Sequence, residues 1–329
     1  MWKQKIGLAL FSTFFTILLL AIIGQFVKVG GESLNRKIVL KAWFTKERWF
    51  GTSEIGIFQP DSVLGWSLKP RSSGKSFIPY GFRVTYNIDE EGHRVTPGSY
   101  DGPKVLLLGC SFTFGHGVED NEAYPALLAN KLTHYKVINA AAPAWGTQQA
   151  YLQLEKSLNT YSDVRLVVYG FINHHLQRNQ LRKAWLEQIG LGRKNPHLDV
   201  VDGELKHLGL ADADRDGLTD EDSLDQKERE ITLALLNAMQ ALCDEHQIPF
   251  LVVNLPEEWD TDFRDEISGI VGPNRFLDLR GDIDFKSLQL PVDGHPNAEC
   301  HRQIADLVTP FLWGYLDTAM LEPKMGFSF

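Results

Sequence analysis

Two segments far apart in this 329-residue chain carry side chains suited to a single chemistry. Residues 104–115 read Lys-Val-Leu-Leu-Leu-Gly-Cys-Ser-Phe-Thr-Phe-Gly, an apolar run that breaks at Gly109 and offers Ser111 on the turn behind it. Residues 293–297 read Asp-Gly-His-Pro-Asn, just ahead of an amphipathic segment. A serine hydroxyl is a weak nucleophile until a base takes its proton, and a histidine base needs a third group to hold its tautomer. Ser111, His295 and Asp293 supply those three groups, so the residue types predict nucleophilic acyl transfer. Taken singly, each has a plain structural reading, the serine as part of a turn and the Asp-Gly-His as helix capping.

A second constellation lies between them. In Asp212-Ala-Asp214-Arg-Asp216-Gly217-Leu218-Thr-Asp220 the carboxylates fall at positions 1, 3, 5 and 9 of a calcium loop, with glycine at 6 and the Leu218 carbonyl at 7. Ser223 stands where the loop's bidentate glutamate is expected, and Asp222 and Asp225 are the nearby substitutes. The spacing predicts a structural Ca2+ held by Asp212, Asp214, Asp216, Leu218 and Asp220, against the competing reading of a solvated acidic loop. The acyl-transfer chemistry itself calls for no cofactor.

These residues need elements to place them. Apolar runs predict strands over 104–109, 136–141, 164–171, 249–255 and 276–279. Helical periodicity predicts helices over 121–133, 147–160 and 226–246. A last helix over 298–315 has Asn297 as its N-cap and Pro310 inside it as a kink or early end. Strand–helix alternation of this kind implies a parallel sheet covered on both faces. Residues 172–225 interrupt the alternation and read as an insertion. In an open α/β sheet, ligands bind at the carboxyl ends of the strands. Ser111 follows the first strand, residues 142–146 the second and Asn173 the third, while Asp293 and His295 lead into the last helix. All are predicted on one sheet edge.

Ahead of this pattern, residues 6–27 hold no charged side chain between Lys5 and Lys28. At helical rise they span about 33 Å, enough for a hydrocarbon core of ~30 Å. A cleaved signal peptide has a shorter apolar region of about 7–15 residues, so residues 1–28 are read as an uncleaved transmembrane anchor. The cations on the two sides of the span oppose each other. A short tail before a large domain favours a signal anchor, with the soluble domain of a single-pass protein periplasmic or extracellular. Residues 29–54 then form a juxtamembrane stalk, 55–103 a small β lead-in rich in turn formers, 104–318 the main domain and 319–329 a tail. The net charge of −9 argues against nucleic acid as a partner. Residues 199–230 carry 12 acidic and 4 basic side chains, an excess of 8 that accounts for most of it. Cys110, Cys243 and Cys300 are too few for a disulfide framework and match no zinc spacing. Cys243 and Cys300 could pair, but core thiols are the simpler reading.

Over residues 104–310 the chain resembles an SGNH/GDSL-type serine hydrolase. Gly109-Cys110-Ser111-Phe112-Thr113-Phe114-Gly115 is similar to the family's first block, with Ser111 at the nucleophile position. Asn139-Ala-Ala-Ala-Pro143-Ala-Trp145-Gly146 is similar to the second, Gly170-Phe-Ile-Asn173 to the third and Asp293-Gly-His295-Pro-Asn to the last. The lead-in Pro60-Asp-Ser-Val-Leu-Gly-Trp66-Ser-Leu-Lys-Pro70 and Gly92-His-Arg94 resemble segments ahead of this domain in membrane-anchored bacterial members. Three positions depart from the pattern: Cys110 replaces the usual Asp, Ala144 the usual Gly, and His174 a common Asp.

The resemblance implies a flavodoxin-like three-layer α/β/α sandwich with a parallel sheet. It also implies an ester hydrolase in which His295, held by Asp293, deprotonates Ser111. The oxyanion would be stabilised by the backbone N–H of Ser111, a backbone N–H from the second block and the Asn173 side chain. Alanine keeps a backbone N–H but tolerates fewer backbone angles than glycine, so both Ala144 and Gly146 are candidates for the second donor. The expected activity is removal of small acyl groups, acetyl foremost, from carbohydrate or other small ester substrates. Two alternatives stay open, an O-acetyltransferase using the same triad on an envelope polysaccharide and a non-catalytic calcium-ordered binding module.

Overall fold

The chain is described by a computed structural model over residues 28–29, 32–33, 56–78, 82–183, 185–186, 194–211, 224–257, 263–290 and 294–316. The predicted membrane anchor at residues 6–27, the predicted calcium loop at 212–220 and Asp293 lie outside the described residues. Among the described residues no helix is long and apolar enough to cross a membrane, and no group of three or more His, Cys, Asp or Glu could hold a metal ion. A short antiparallel pair, β1 (Lys28–Val29) with β2 (Glu32–Ser33), belongs to one compact unit, residues 1–45; residues 46–329 form the other.

Among the described residues of the second unit, two antiparallel hairpins come first, β3 (Phe58–Asp61) with β4 (Gly65–Leu68) and β5 (Ser73–Ile78) with β6 (Phe82–Asn87). The main run follows: β7 (Lys104–Leu108), α1 (Ser111–Phe114), α2 (Tyr124–Lys131), β8 (Lys136–Asn139), α3 (Thr147–Thr160), β9 (Val164–Phe171) and α4 (His174–Asn179). After it come β10 (Asn195–Val201), β11 (Glu204–Ala211), α5 (Leu224–Glu245), β12 (Phe250–Asn254), α6 (Arg264–Val271), β13 (Phe276–Asp278) and α7 (Ala298–Trp313).

Strand period and burial build three layers. In β7, Val105, Leu106, Leu107 and Leu108 are all fully buried, as a strand covered on both faces must be. Because side chains alternate across a strand, Val105 and Leu107 enter one core cluster while Leu106 and Leu108 enter the other. The same split runs through β9 and β12. On the first face the strands meet Tyr124, Leu128 and Ala129 of α2 and Ile304, Val308 and Leu312 of α7. On the second they meet Ala150 and Leu154 of α3, Leu236 and Met239 of α5, and Ile267 and Val271 of α6. Each fully buried aliphatic side chain contributes roughly 1.5–3 kcal/mol of transfer free energy.

The five parallel strands lie in the order β13-β12-β9-β7-β8. The first strand in sequence thus sits between the second and the third, the flavodoxin-like order, whose switch point falls between β7 and β9. The α/β/α architecture and the five strands match the sequence expectation. The region read only as an insertion holds more structure than was predicted, namely α4 and the β10–β11 hairpin, whose register shifts between Pro196 and Leu198. Helix α6 was not predicted, although Phe263, Ile267, Ile270 and Val271 stand at helical spacing and pack into the second core cluster. Pro310 does not end α7, which runs on to Trp313 with the Asn297 side chain capping the Cys300 N–H at 2.9 Å. All three cysteines are free and buried.

The lead-in is bound to the main run through Arg94. This side chain is fully buried and pairs with Asp120 at 2.9 Å. Its guanidinium donates to the carbonyls of Phe114 at 2.6 Å, Val118 at 2.7 Å and Gly115. Asp120 accepts in turn from the Asn87 side chain at 2.6 Å.

Candidate active site

Ser111 opens α1 directly after the first strand, at the switch point. The chain can turn there because Gly109 has φ +153°, and because a Cβ on it would lie 2.4 Å from Thr113 Oγ1 and 3.0 Å from the Gly170 carbonyl oxygen. No side chain fits in that space. Thr113 is itself fixed by the Tyr124 hydroxyl at 3.0 Å. The turn behind Ser111 closes when its carbonyl accepts the N–H groups of Gly115 at 3.0 Å and His116 at 2.9 Å.

His295 reaches this turn from a segment 184 residues away. Its Nε2 lies 2.8 Å from Ser111 Oγ, and Ser111 is 4% exposed. The loop carrying it is pinned on both sides: the Leu290 N–H donates to the His295 carbonyl at 2.7 Å and the Asn297 N–H to the Leu288 carbonyl at 2.9 Å. The imidazole packs against Phe112 at 5.3 Å and His116 at 4.6 Å between ring centroids. Tyr86 of the lead-in accepts the Gly117 N–H at 2.8 Å and lies 3.4 Å from His116 Nδ1. Sequence reasoning did not single out His116, although it stands five residues after the serine.

The second block forms a tight turn in which Ala144 takes φ +66° and is 7% exposed. A left-handed conformation costs a residue with a Cβ about 1–2 kcal/mol, so the turn has to be held by bonds within it and from its neighbours. The Trp145 N–H donates to the Ala142 carbonyl at 3.3 Å, the Trp145 indole to the Trp66 carbonyl at 3.3 Å, and Arg178 Nη1 to the Trp145 carbonyl at 2.8 Å. The Gly146 N–H donates to Gln149 Oε1 at 2.9 Å as the N-cap of α3. That narrows one expectation: the amide of Gly146 is already engaged by the Gln149 side chain, which leaves Ala144 as the candidate donor of this turn. Gly146 is a glycine for reasons of space, since a Cβ there would lie 2.9 Å from Asn179 Oδ1 and 3.0 Å from Arg178 Cβ.

Asn173 follows β9 on the other side of the switch point, is 2% exposed and stands at the N-cap position of α4 with no side-chain capping bond. Its backbone N–H donates to the Glu257 carboxylate, which also lies 2.9 Å from His174 Nδ1 through its other oxygen. Sequence reasoning missed Glu257. It follows the fourth strand, β12, so the sheet-edge rule reaches it, but Pro-Glu-Glu-Trp looks like a solvated loop. Cys110 is buried, and burial pushes its thiol above the ordinary range while the nearby Arg178 guanidinium pulls the other way. It therefore stays a neutral thiol beside the serine. The structure brings Ser111 and His295 into hydrogen-bond contact; Asp293 and the calcium-loop residues Asp212, Asp214, Asp216, Leu218 and Asp220 fall outside the described residues.

Neither a protein-family model nor a curated protein matches the chain. Solved structures do. The crystal structure of TesA is similar at 15% identity and a TM-score of 0.42, over 65% of this chain and 99% of that one. An acetyl xylan esterase, AlAXEase, is similar at 16% identity and a TM-score of 0.39, over 65% of this chain and 100% of that one. AlinE4, an SGNH-hydrolase family esterase, is similar at 16% identity and a TM-score of 0.36, over 66% of this chain and 98% of that one.

Proposed function

We propose that the chain is a serine ester hydrolase of the SGNH/GDSL type that removes small acyl groups, acetyl foremost, from carbohydrate or other ester substrates. The observation that carries this reading is the 2.8 Å contact between His295 Nε2 and Ser111 Oγ, made across 184 residues at the switch point of the sheet. Ser111 Oγ attacks the ester carbonyl as its proton passes to His295 Nε2. Asp293 holds the Nδ1 side of the imidazole and stabilises the imidazolium. The N–H groups of Ser111 and Ala144 and the Asn173 side chain receive the oxyanion, each such donor typically contributing roughly 3–4 kcal/mol. The tetrahedral intermediate collapses, and the alcohol leaves with the proton from His295. Water, deprotonated by the same imidazole, then attacks the acyl-serine and releases the acid.

Hydrolysis of p-nitrophenyl acetate tests the reading. Ser111→Ala and His295→Ala should each lower kcat by about three to six orders of magnitude. Wild type and Ser111→Ala hydrolysing the ester equally would sink it. Product analysis on an acetylated polysaccharide with added acceptor glycan separates hydrolysis from transfer.

From the uncharged span we further propose that residues 6–27 are an uncleaved membrane anchor with the esterase domain outside the cytoplasm, and from the carboxylate spacing that residues 212–220 are a structural Ca2+ loop. Two measurements test these parts: extraction from membranes only by detergent, and a calcium-dependent rise in melting temperature that Asp212→Asn with Asp216→Asn abolishes.

A further inference from the structure

One side chain joins the helix that follows Asn173 to the turn of the second block. Arg178 lies on α4, the helix that directly follows Asn173, and its Nη1 donates to the Trp145 carbonyl at 2.8 Å. Its charge opposes the effect of burial on the Cys110 thiol next to the nucleophile. On its outer side it stacks over the Trp185 ring, 4.6 Å from the centroid. The helix beneath it is anchored in turn: Asn179 accepts the Thr147 N–H at 2.8 Å and donates to the hydroxyls of Thr147 and Thr232, both at 2.8 Å.

The turn it grips is the strained one. Ala144 sits at φ +66°, and two of the bonds that hold it there are local. The Trp145 N–H to Ala142 bond lies inside the turn, and the Gly146 N–H to Gln149 bond joins the turn to the helix that it caps. Both move with the turn if it relaxes. Arg178 instead ties the turn to the helix that directly follows Asn173, so it fixes the spacing between the two donors as well as the conformation of one.

We propose that Arg178 is the positioning residue of the oxyanion hole, holding the Ala144 peptide in its left-handed conformation and in register with Asn173. The inference rests on the esterase reading. Arg178 contacts neither Ser111 Oγ nor His295, so its loss leaves the general base untouched and removes transition-state binding alone. A glycine at 144 takes the left-handed conformation without the Cβ penalty, so it should replace part of what Arg178 does.

The experiment compares wild type, Arg178→Ala, Arg178→Lys, Ala144→Gly and the double variant Arg178→Ala/Ala144→Gly on p-nitrophenyl acetate. Arg178→Ala should lower kcat by roughly 30–100-fold, with KM within about threefold and the inflection of the pH–rate profile unmoved. Arg178→Lys should recover only a few-fold, because a lysine lacks the planar fork. Ala144→Gly in the Arg178→Ala background should recover about tenfold, the scale of the left-handed penalty of a residue with a Cβ. Where Arg178→Ala fails to fold, Arg178→Lys with and without Ala144→Gly carries the same comparison.

An active wild type with Arg178→Ala within threefold of it overturns this inference alone. So does a loss in kcat that Ala144→Gly does not relieve, because the arginine would then act by its charge and not by holding the turn. An inert wild type overturns the esterase reading and this inference with it.

Discussion

Replacing Arg94 with alanine should cost this fold several kcal/mol, and the amount follows from the guanidinium's partners. Arg94 is fully buried and bonds the Asp120 carboxylate at 2.9 Å, the Phe114 and Val118 carbonyls at 2.6 and 2.7 Å, and the Gly115 carbonyl. It also lies over the rings of Tyr86 and Phe114, at 4.7 and 4.8 Å. Breaking a buried ion pair by removing one partner typically costs about 3–5 kcal/mol, because the other charge stays behind unpaired. Each orphaned carbonyl could add roughly 1–3 kcal/mol, less wherever water enters the vacated space. Asp120 keeps its bond from Asn87, which lowers the total. A loss of about 4 kcal/mol is the balance, out of the roughly 5–15 kcal/mol that a domain commands. Equilibrium unfolding in urea followed by circular dichroism reads it directly. Arg94→Lys should recover less than half, since an ammonium cannot reach four acceptors spread around a plane. In a double-mutant cycle with Asp120→Asn the coupling should be about 2–3 kcal/mol. A loss below about 1 kcal/mol for Arg94→Ala would show that the lead-in is held by its apolar packing and would refute the reasoning.

Three further outcomes follow from local geometry. Gly109→Ala forces a Cβ to 2.4 Å from Thr113 Oγ1 at φ +153°; it should cost about 3 kcal/mol by urea unfolding and displace α1 enough to abolish ester hydrolysis. Glu257→Ala removes both the acceptor of the Asn173 N–H and the carboxylate oxygen beside His174 Nδ1. A stability loss of about 1–3 kcal/mol, with kcat reduced and KM unchanged, should result, and full kcat in the variant would count against a role for Glu257 in holding Asn173. Stability should also depend on pH through two buried histidines. Burial lowers His93 to about 4 and His301 to about 3 from an ordinary 6.5. A depressed folded pKa means that the unfolded chain takes the proton first, so this stability is complete above pH 6.5 and drains away as pH falls toward those values. By about pH 5 each histidine should have cost roughly 2 kcal/mol. Urea midpoints across this window should fall accordingly, and His301→Asn should remove its share of the slope; an unchanged slope would refute the assignment.

What was legible in the sequence was whatever local pattern encodes. A strand covered on both faces has to be apolar at every position, and Val105 to Leu108 show this without an alignment. The break at Gly109 marks the turn, and the edge rule for α/β sheets sends Ser111, Asn173 and His295 to one side. Contacts with backbone carbonyls were not legible, because every residue has a carbonyl and nothing in the sequence says which ones a buried Arg94 or Arg178 will find. The choice between Ala144 and Gly146 lies between these cases. Glycine looks like the freer donor, yet Gln149 three residues on has the spacing of a capping box, and it is this glutamine that takes the Gly146 N–H. The hairpin β10–β11 stayed hidden for a different reason: Glu204–Ala211 is exposed or half-exposed at every position but its last, so it has little of the alternation that marks a strand.

The lead-in shows why a sheet edge alone does not make a site. The β7–β9 switch point brings the serine and Asn173 to neighbouring strand ends, but the loops that follow those strands have no regular ladder to hold them. Each is instead tied to the lead-in or to a loop beside it. Arg94 gathers the carbonyls behind α1, Trp66 receives the Trp145 indole N–H beside the strained turn, and Tyr86 receives the Gly117 N–H next to the histidine that packs on His295. Three residues from a segment with no strand in the central sheet therefore reach the nucleophile loop, the candidate oxyanion turn and the ring packed on the base. A catalytic geometry has to be held to a fraction of an ångström by packing and hydrogen bonds around it. In this chain the sheet sets which residues meet, and the lead-in together with α4 sets how closely they are held.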